Sequence, residues 1–243
     1  MSKAEVYFDQ SLDRKNRLTY SKVFIRPPGL NADIQNAAES ARMIVDPDFE
    51  ILGTNASSDD ATIATTGGVT IETDGGDNDF VVILPHLDAS QSAWATTLWD
   101  TAKSPSYETT IETGASVAAT EIWAGFKLTN VFLNTTDNDS IYFLYDSVTT
   151  SWQFNVSRAG TDETYTVPTD ICAAVAASTR YRLRIEVYSD RTCMGFINDK
   201  PIRETRFAAV TSLTTLIPYT GVMAAAAAAK KITVKYLEVG RAY

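Results

Sequence analysis

The chain has 243 residues, 44% of them hydrophobic, 10% aromatic and 21% charged, and a formal net charge of -9. That composition excludes wholesale disorder and gives enough apolar surface for one large domain with an appendage, or for two small ones. Residues 51–110 carry one basic side chain, Lys103, against nine acidic ones, which excludes the clustered Lys and Arg of a nucleic-acid groove.

The chain opens Met1-Ser2-Lys3-Ala4-Glu5 with no apolar signal segment, and no run approaches the roughly 18 apolar residues of a membrane helix. Synthesis in a cytoplasm without membrane insertion is therefore expected. In that compartment Cys172 and Cys193, which form no metal or redox spacing, read as buried thiols. The Asn-x-Ser/Thr sequons at Asn55, Asn134, Asn138 and Asn155 then read as chance.

Residues 1–55 differ in character from the remainder of the chain and are read as an N-terminal arm. Val6-Tyr7-Phe8 forms an apolar tip, Arg14, Lys15, Arg17, Lys22 and Arg26 a basic stretch, and Pro27-Pro28-Gly29 a break. Ile34, Ala37, Ala38, Ala41 and Ile44 then recur at helical spacing. Asn31 or Asp33 is placed to cap and Pro47 to stop, which predicts one short helix. Such an arm is too small to bury a core alone and needs another surface, its own domain or a neighbouring subunit.

Residues 56–243 are read as a single domain in which the two-residue period takes over. Strands are expected at 61–65, 68–73, 79–84, 106–113, 120–129, 139–146, 151–158, 163–167, 180–188, 192–198 and 231–239, separated by Gly-, Asn- and Asp-rich turns. In 120–129, Ile122, Ala124, Phe126 and Leu128 share a face opposite Glu121, Trp123 and Lys127. In 180–188, Tyr181, Leu183, Ile185 and Val187 oppose Arg182, Arg184 and Glu186. Alternation of this kind, with no interleaved amphipathic helices, predicts an all-β antiparallel sandwich. The alanine run 224–229 has helical propensity but spans under two turns, so a loop or a single helical turn is expected there.

Three segments carry a resemblance. They are Tyr181-Arg182-Leu183-Arg184-Ile185-Glu186-Val187, Gly195-Phe196-Ile197-Asn198-Asp199-Lys200-Pro201, and the passage from Leu213 to Val222 with its closing strand Lys231–Val239. Together they resemble the C-terminal half of concanavalin-like lectin/glucanase sandwiches, in the versions carried by tailed-bacteriophage structural proteins. The resemblance covers roughly 105–243. It implies a jelly roll of two curved antiparallel sheets and, in glycan-cleaving members, a Glu-x-Asp-x-x-Glu or Glu-x-Asp-x-Glu strand. Neither pattern occurs: Glu72-Thr73-Asp74 and Glu108–Glu112 come nearest.

The remaining chemistry is sparse. Glu108 and Glu112 share a strand face about 13 Å apart at about 3.3 Å rise per residue, beyond the roughly 5–10 Å of a glycosidase pair. Glu72 and Asp74 are nearer, but Asp74 opens a Gly-Gly turn. His86, the single histidine, follows Pro85 and has no nucleophile beside it. Asp74–Asp79 and Asp137–Asp139 supply oxygens in turns without the twelve-residue calcium pattern, so no metal and no cofactor is expected. Trp94, Trp99, Trp123 and Trp152 suit core or interface packing, while Trp94 and Trp99 lie in a segment without clear period, where exposure and sugar stacking are the alternative.

These readings give a non-enzymatic bacteriophage virion structural protein, of capsid decoration, cement or head-fibre type. It would attach through its arm to other virion proteins such as the major capsid or an appendage protein. A homo-oligomer is expected, with a homotrimer implied by the resemblance, and no nucleic-acid or membrane partner. The alternative is a carbohydrate-binding module or receptor-binding tip of a phage appendage, with a glycan as ligand.

Overall fold

The computed structural model describes residues 17–23, 43–46, 49–54, 60–85, 93–94, 97–128, 137–205 and 207–243. In chain order the strands are β1 Arg17–Val23, β2 Met43–Asp46, β3 Phe49–Gly53, β4 Ala61–Ile63, β5 Val69–Glu72 and β6 Phe80–Pro85. They continue with β7 Ala93–Trp94, β8 Thr97–Asp100, β9 Ser106–Thr113, β10 Thr120–Lys127, β11 Ser140–Asp146 and β12 Trp152–Arg158. The last six are β13 Thr161–Thr166, β14 Arg180–Val187, β15 Cys193–Ile197, β16 Lys200–Glu204, β17 Thr215–Ala224 and β18 Lys231–Ala242.

They form an eight-stranded sheet, ordered β16-β15-β14-β9-β18-β5-β4 with β1 also on β18, and a ten-stranded sheet, ordered β13-β12-β11-β10-β17-β6-β3-β2 with β8 also on β17 and β7 on β8. Every strand pairing described is antiparallel. The two longest strands split their partners. β18 pairs β5 through Lys231–Val234 and β1 through Tyr236–Ala242 on the same side. Likewise β17 pairs β8 through Thr215–Leu216 and β6 through Thr220–Met223. Pro218 falls in the stretch those two leave open, where the missing amide hydrogen of a proline is tolerated inside a sheet.

The core lies between the sheets, as alternation demands. Ile122, Ala124 and Phe126 of β10 and Phe143 and Tyr145 of β11 meet Tyr107, Ile111, Leu183 and Ile185 of the other sheet, all at most 2% exposed. Trp152 spans the gap, edge-on to Phe143, Tyr145 and, from the opposite sheet, Tyr181 at 5.6 Å. Each such buried side chain contributes about 1.5–3 kcal/mol. The Tyr107 hydroxyl also crosses the sandwich, donating to the Tyr219 carbonyl oxygen and lying 2.5 Å from Thr220 Oγ1.

The antiparallel sandwich and the loop at the alanine run are as expected: the chain leaves β17 at Ala224, and residues 225–229 are exposed bends and coil. The short helix is not supported. Ile44, its last apolar position, sits in β2 against β3, because strand pairing overrides a weak helical spacing. The rest of the proposed helix and the Val6-Tyr7-Phe8 tip lie outside the described residues. Cys172 and Cys193 are free thiols, the first half-buried and the second buried.

Candidate functional site

The outer face of the eight-stranded sheet is built from charge. β9 turns Ser106, Glu108, Thr110 and Glu112 outward, and β14 beside it turns out Arg180, Arg182, Arg184 and Glu186. Arg180 Nε donates to Glu112 and Arg182 Nε to Glu108, each at 2.7 Å, while Arg182 Nη1 also reaches Asp199 at 2.9 Å. Arg184 pairs with Glu186 on its own strand and lies 3.8 Å above the Phe196 ring. The hydrogen bond from Arg180, more than any other contact, holds the Glu112 carboxyl below its ordinary range.

A bulge in β18 adds the second carboxylate. Val234 opposes Ile111 and Tyr236 opposes Thr110, so Lys235 is an extra residue. Regular alternation from Ile232 and Val234 would send Glu238 into the core. The inserted residue reverses the phase, burying Leu237 and Val239 and turning Tyr236 and Glu238 outward. Lys235 anchors the bulge, donating to Thr66 Oγ1 at 2.8 Å and to the Gly67 carbonyl at 2.6 Å.

Glu238 consequently stands directly opposite Glu108 on the neighbouring strand. Residues so placed have Cβ atoms about 4.5–5.5 Å apart. The Tyr236 hydroxyl donates to Glu238 Oε2, and burial followed by that carboxylate pushes the phenol's pKa up. Both glutamates line a cleft of about 440 Å³ with Arg17, Arg184, Glu186 and Tyr188. Arg17 donates to Ser104 O and Ser106 Oγ, each at 2.9 Å, and Tyr188 is 37% exposed at the rim. The cleft thus offers guanidinium donors, paired carboxylate acceptors and one accessible ring, the groups that hold hydroxyl-rich ligands.

The ten-stranded sheet has its own carboxylate pair, Glu121 of β10 opposite Asp146 of β11. Burial, and secondarily Asp146, raises the Glu121 pKa. The outer face beyond it is apolar: Trp123, Tyr219 and Met223 form a second buried cluster, with Lys127 5.0 Å from the Tyr219 ring centre.

The residues singled out from sequence fare unevenly. Glu108 belongs to the cleft, whereas Glu112 is taken up by Arg180 and Lys235. Glu72 ends β5 in an ion pair with Lys231 at 3.5 Å, and Asp74 lies in the turn beyond. The turn aspartates serve the backbone: Asp79 accepts from Gly76 N, Asp137 from Leu128 N and Asp139 from Thr211 N. Exposure of Trp99 is overturned, since it is 1% exposed and hydrogen-bonded neighbours in β17 cover its strand. His86 and the Trp94 side chain lie outside the described residues. Glu238 and Tyr188 carry no signal in sequence and Arg17 reads only as part of the basic stretch, because the β9–β18, β1–β18 and β9–β14 pairings are what bring the three to one cleft.

No protein-family model and no curated protein matches the sequence. Solved structures do match in shape. The chain is similar to a beta-glucanase of Bacillus licheniformis, with a TM-score of 0.55 at 10% identity over 91% of this chain and 97% of that one. It is similar also to a glycosyl hydrolase family protein from Mycobacterium fortuitum, with a TM-score of 0.55 at 12% identity over 90% and 98%. A third is the potassium-bound carbohydrate recognition domain of Emp46p, with a TM-score of 0.53 at 9% identity over 79% and 88%.

The fold is a concanavalin-like jelly roll. The neighbours correct the expectation of a non-enzymatic chain: a glucanase and a glycosyl hydrolase stand among them, so this jelly roll is one that carries enzymes. Absence of a one-strand carboxylate motif is too narrow a criterion, because facing strands also bring carboxylates together, as Glu108 and Glu238 demonstrate. The likeness shows the fold and gives the virion structural expectation no support.

Proposed function

We propose that this jelly roll binds a glycan in the cleft over β9, β14 and β18. The observation that carries the reading is the facing pair Glu108 and Glu238 in a cleft that also presents Arg17 and the half-exposed ring of Tyr188. Carboxylates and guanidinium groups match the alternating donor and acceptor character of sugar hydroxyls, and an accessible phenol ring supplies an apolar stacking surface.

Cleavage is the second reading, favoured by the same facing carboxylates, since retaining glycosidases hold theirs about 5–5.5 Å apart. One feature weighs toward binding: Arg182 and Tyr236 already engage the cleft pair. One experiment addresses both readings. The full chain and its Glu108→Gln, Glu238→Gln and Tyr188→Ala variants are titrated with a panel of oligosaccharides by calorimetry, and new reducing ends are assayed in the same samples. Binding weakened at least tenfold by each variant supports the proposal. Reducing ends released by the wild type but not by either glutamine variant establish cleavage. Retention at wild-type affinity in all three variants would remove the cleft from consideration.

A further inference from the structure

Among the described residues β13 is an edge strand of the ten-stranded sheet paired on one side only, and its residues are exposed apart from the half-buried Tyr165. Natural edges are ordinarily blunted against pairing with a second chain. β16, the corresponding edge of the other sheet, carries Lys200 and Pro201 and pairs β15 through a bulge at Gly195/Phe196. β2 is bulged between Ile44 and Asp46, β4 has only three residues, and β1 contains Arg17 and Lys22. β13 carries acidic Asp162 and Glu163 in place of lysine or arginine, has neither proline nor bulge, and runs in unbroken register with β12 from Thr161 to Thr166.

Its outward hydrogen-bonding groups are set by the hairpin. Val167 N donates to Trp152 O, and bonded pairs alternate along an antiparallel ladder. Phe154/Tyr165, Val156/Glu163 and Arg158/Thr161 are therefore the bonded pairs. The two-residue turn agrees, since Ala159 and Gly160 have φ of 49° and 78°, the form that flanks itself with a bonded pair. Asp162, Thr164 and Thr166 thus point their amides and carbonyls away from the sheet.

We propose that β13 is the seam of a homodimer, two copies of this chain pairing antiparallel about a two-fold axis at Thr164. In that register Asp162 opposes Thr166 and Thr164 opposes itself, so every outward group of these residues finds a partner. Glu163 then faces Tyr165 of the second copy, and no like charges meet. Moving the axis to Glu163 sets two carboxylates face to face, which is destabilising. The side chains on the core side of β13 are already fixed, because Arg203 donates to Glu163 at 2.6 Å and lies 5.1 Å from the Tyr165 ring centre. Phe207, 78% exposed, borders a groove of about 460 Å³ shared with Thr161 and Glu163. It supplies the apolar contact that a single pair of strands lacks. The pairing is isologous and closes at two copies, not three.

Light scattering of the full chain across a concentration series tests this. The mass is expected to approach twice the 26.6 kDa of one chain. Thr164→Pro removes an outward amide and no ladder bond, so it should hold the chain at 26.6 kDa and melt where the wild type does at the dilute, dissociated end of the series. Phe207→Ser should weaken the dimer at least tenfold. If the proline variant fails to fold, cysteines decide. In a Cys172→Ser background, Thr164→Cys lies on the axis with Cα atoms about 5.5 Å apart, within disulfide reach. It should cross-link on mild oxidation, and Thr166→Cys, facing Asp162, should not. A wild type that stays at single-chain mass at every concentration overturns the seam. So does an oligomer in which Thr164→Cys and Thr166→Cys cross-link equally.

Discussion

Gly125, in the middle of β10, offers a sharp test of how tightly the ten-stranded sheet is packed. Its φ is +153°, and a Cβ placed there would run into the Ile141 carbonyl oxygen and lie 2.6 Å from Tyr142 Cα. Both contacts are with the backbone of β11, which cannot swing aside as a side chain could. Gly125→Ala therefore combines an unfavourable φ, about 1–2 kcal/mol for a residue with a Cβ, with overpacking of about 1–3 kcal/mol. Gly67 separates the two costs, since its φ is +79° yet nothing lies within 4 Å of its Cβ position. At about 2–4 °C per kcal/mol for a chain of this length, Gly125→Ala should lower the melting temperature by about 10 °C and Gly67→Ala by about 4 °C. Differential scanning calorimetry reads both. Equal shifts in the two variants would refute the clash and leave φ as the only cost.

Three further expectations rest on buried groups. Tyr107→Phe strips the Tyr219 carbonyl and Thr220 hydroxyl of their partner across the sandwich and should cost about 1–3 kcal/mol in chemical denaturation, with the fold retained. Thiol alkylation of the native chain should modify Cys172 alone, because Cys193 is 0% exposed and reacts only in denaturant. Stability should also depend on alkaline pH in two opposed ways. Burial lowers Lys127 from 10.5 to about 8, so between those values the unfolded chain binds the extra proton and stability rises with pH. Burial pushes Cys193 from 9.0 up to about 12 and Tyr142 from 10.0 up to about 12, so above pH 9 to 10 the unfolded chain sheds protons that the folded one keeps, and stability falls. The melting temperature should therefore climb between about pH 8 and pH 9, level off where the two trends offset, and drop above about pH 10 as Tyr142 joins Cys193. Lys127→Met should abolish the climb and keep the drop, and a variant with the wild-type profile would show that Lys127 does not titrate in this range.

How far the sequence discloses this protein depends on which faces of a strand are wet. β9 and β14 show clean alternation because one face meets the core and the other carries Glu or Arg in solvent contact. β17 is legible only as a piece of a resemblance: Leu216 to Ala224 is buried without interruption, so no two-residue period survives, and Pro218 and Gly221 argue locally against a strand. Trp123 reads as a polar-face residue for the same reason, since the outer side of its sheet carries a second apolar cluster.

The candidate site is less legible still, and β18 explains why. Read as a regular strand, Ile232, Val234, Tyr236 and Glu238 lie in one row, which would place a glutamate among core residues and discourage any role for it. One inserted residue, Lys235, moves Glu238 to the opposite face and sets it against a glutamate 130 positions earlier in the chain. A bulge of that kind leaves little trace in sequence, because Val234-Lys235-Tyr236 satisfies either phase until the partner strand is known. The choice between phases is made by packing: Leu237 and Val239 bury completely in the observed register. Burying them in place of Tyr236 and Glu238 avoids taking an ionised carboxylate out of water, at a cost of several kcal/mol. The same energetic preference that closes the core therefore produces the facing carboxylates of the cleft. A variant lacking Lys235 would have to give up one or the other.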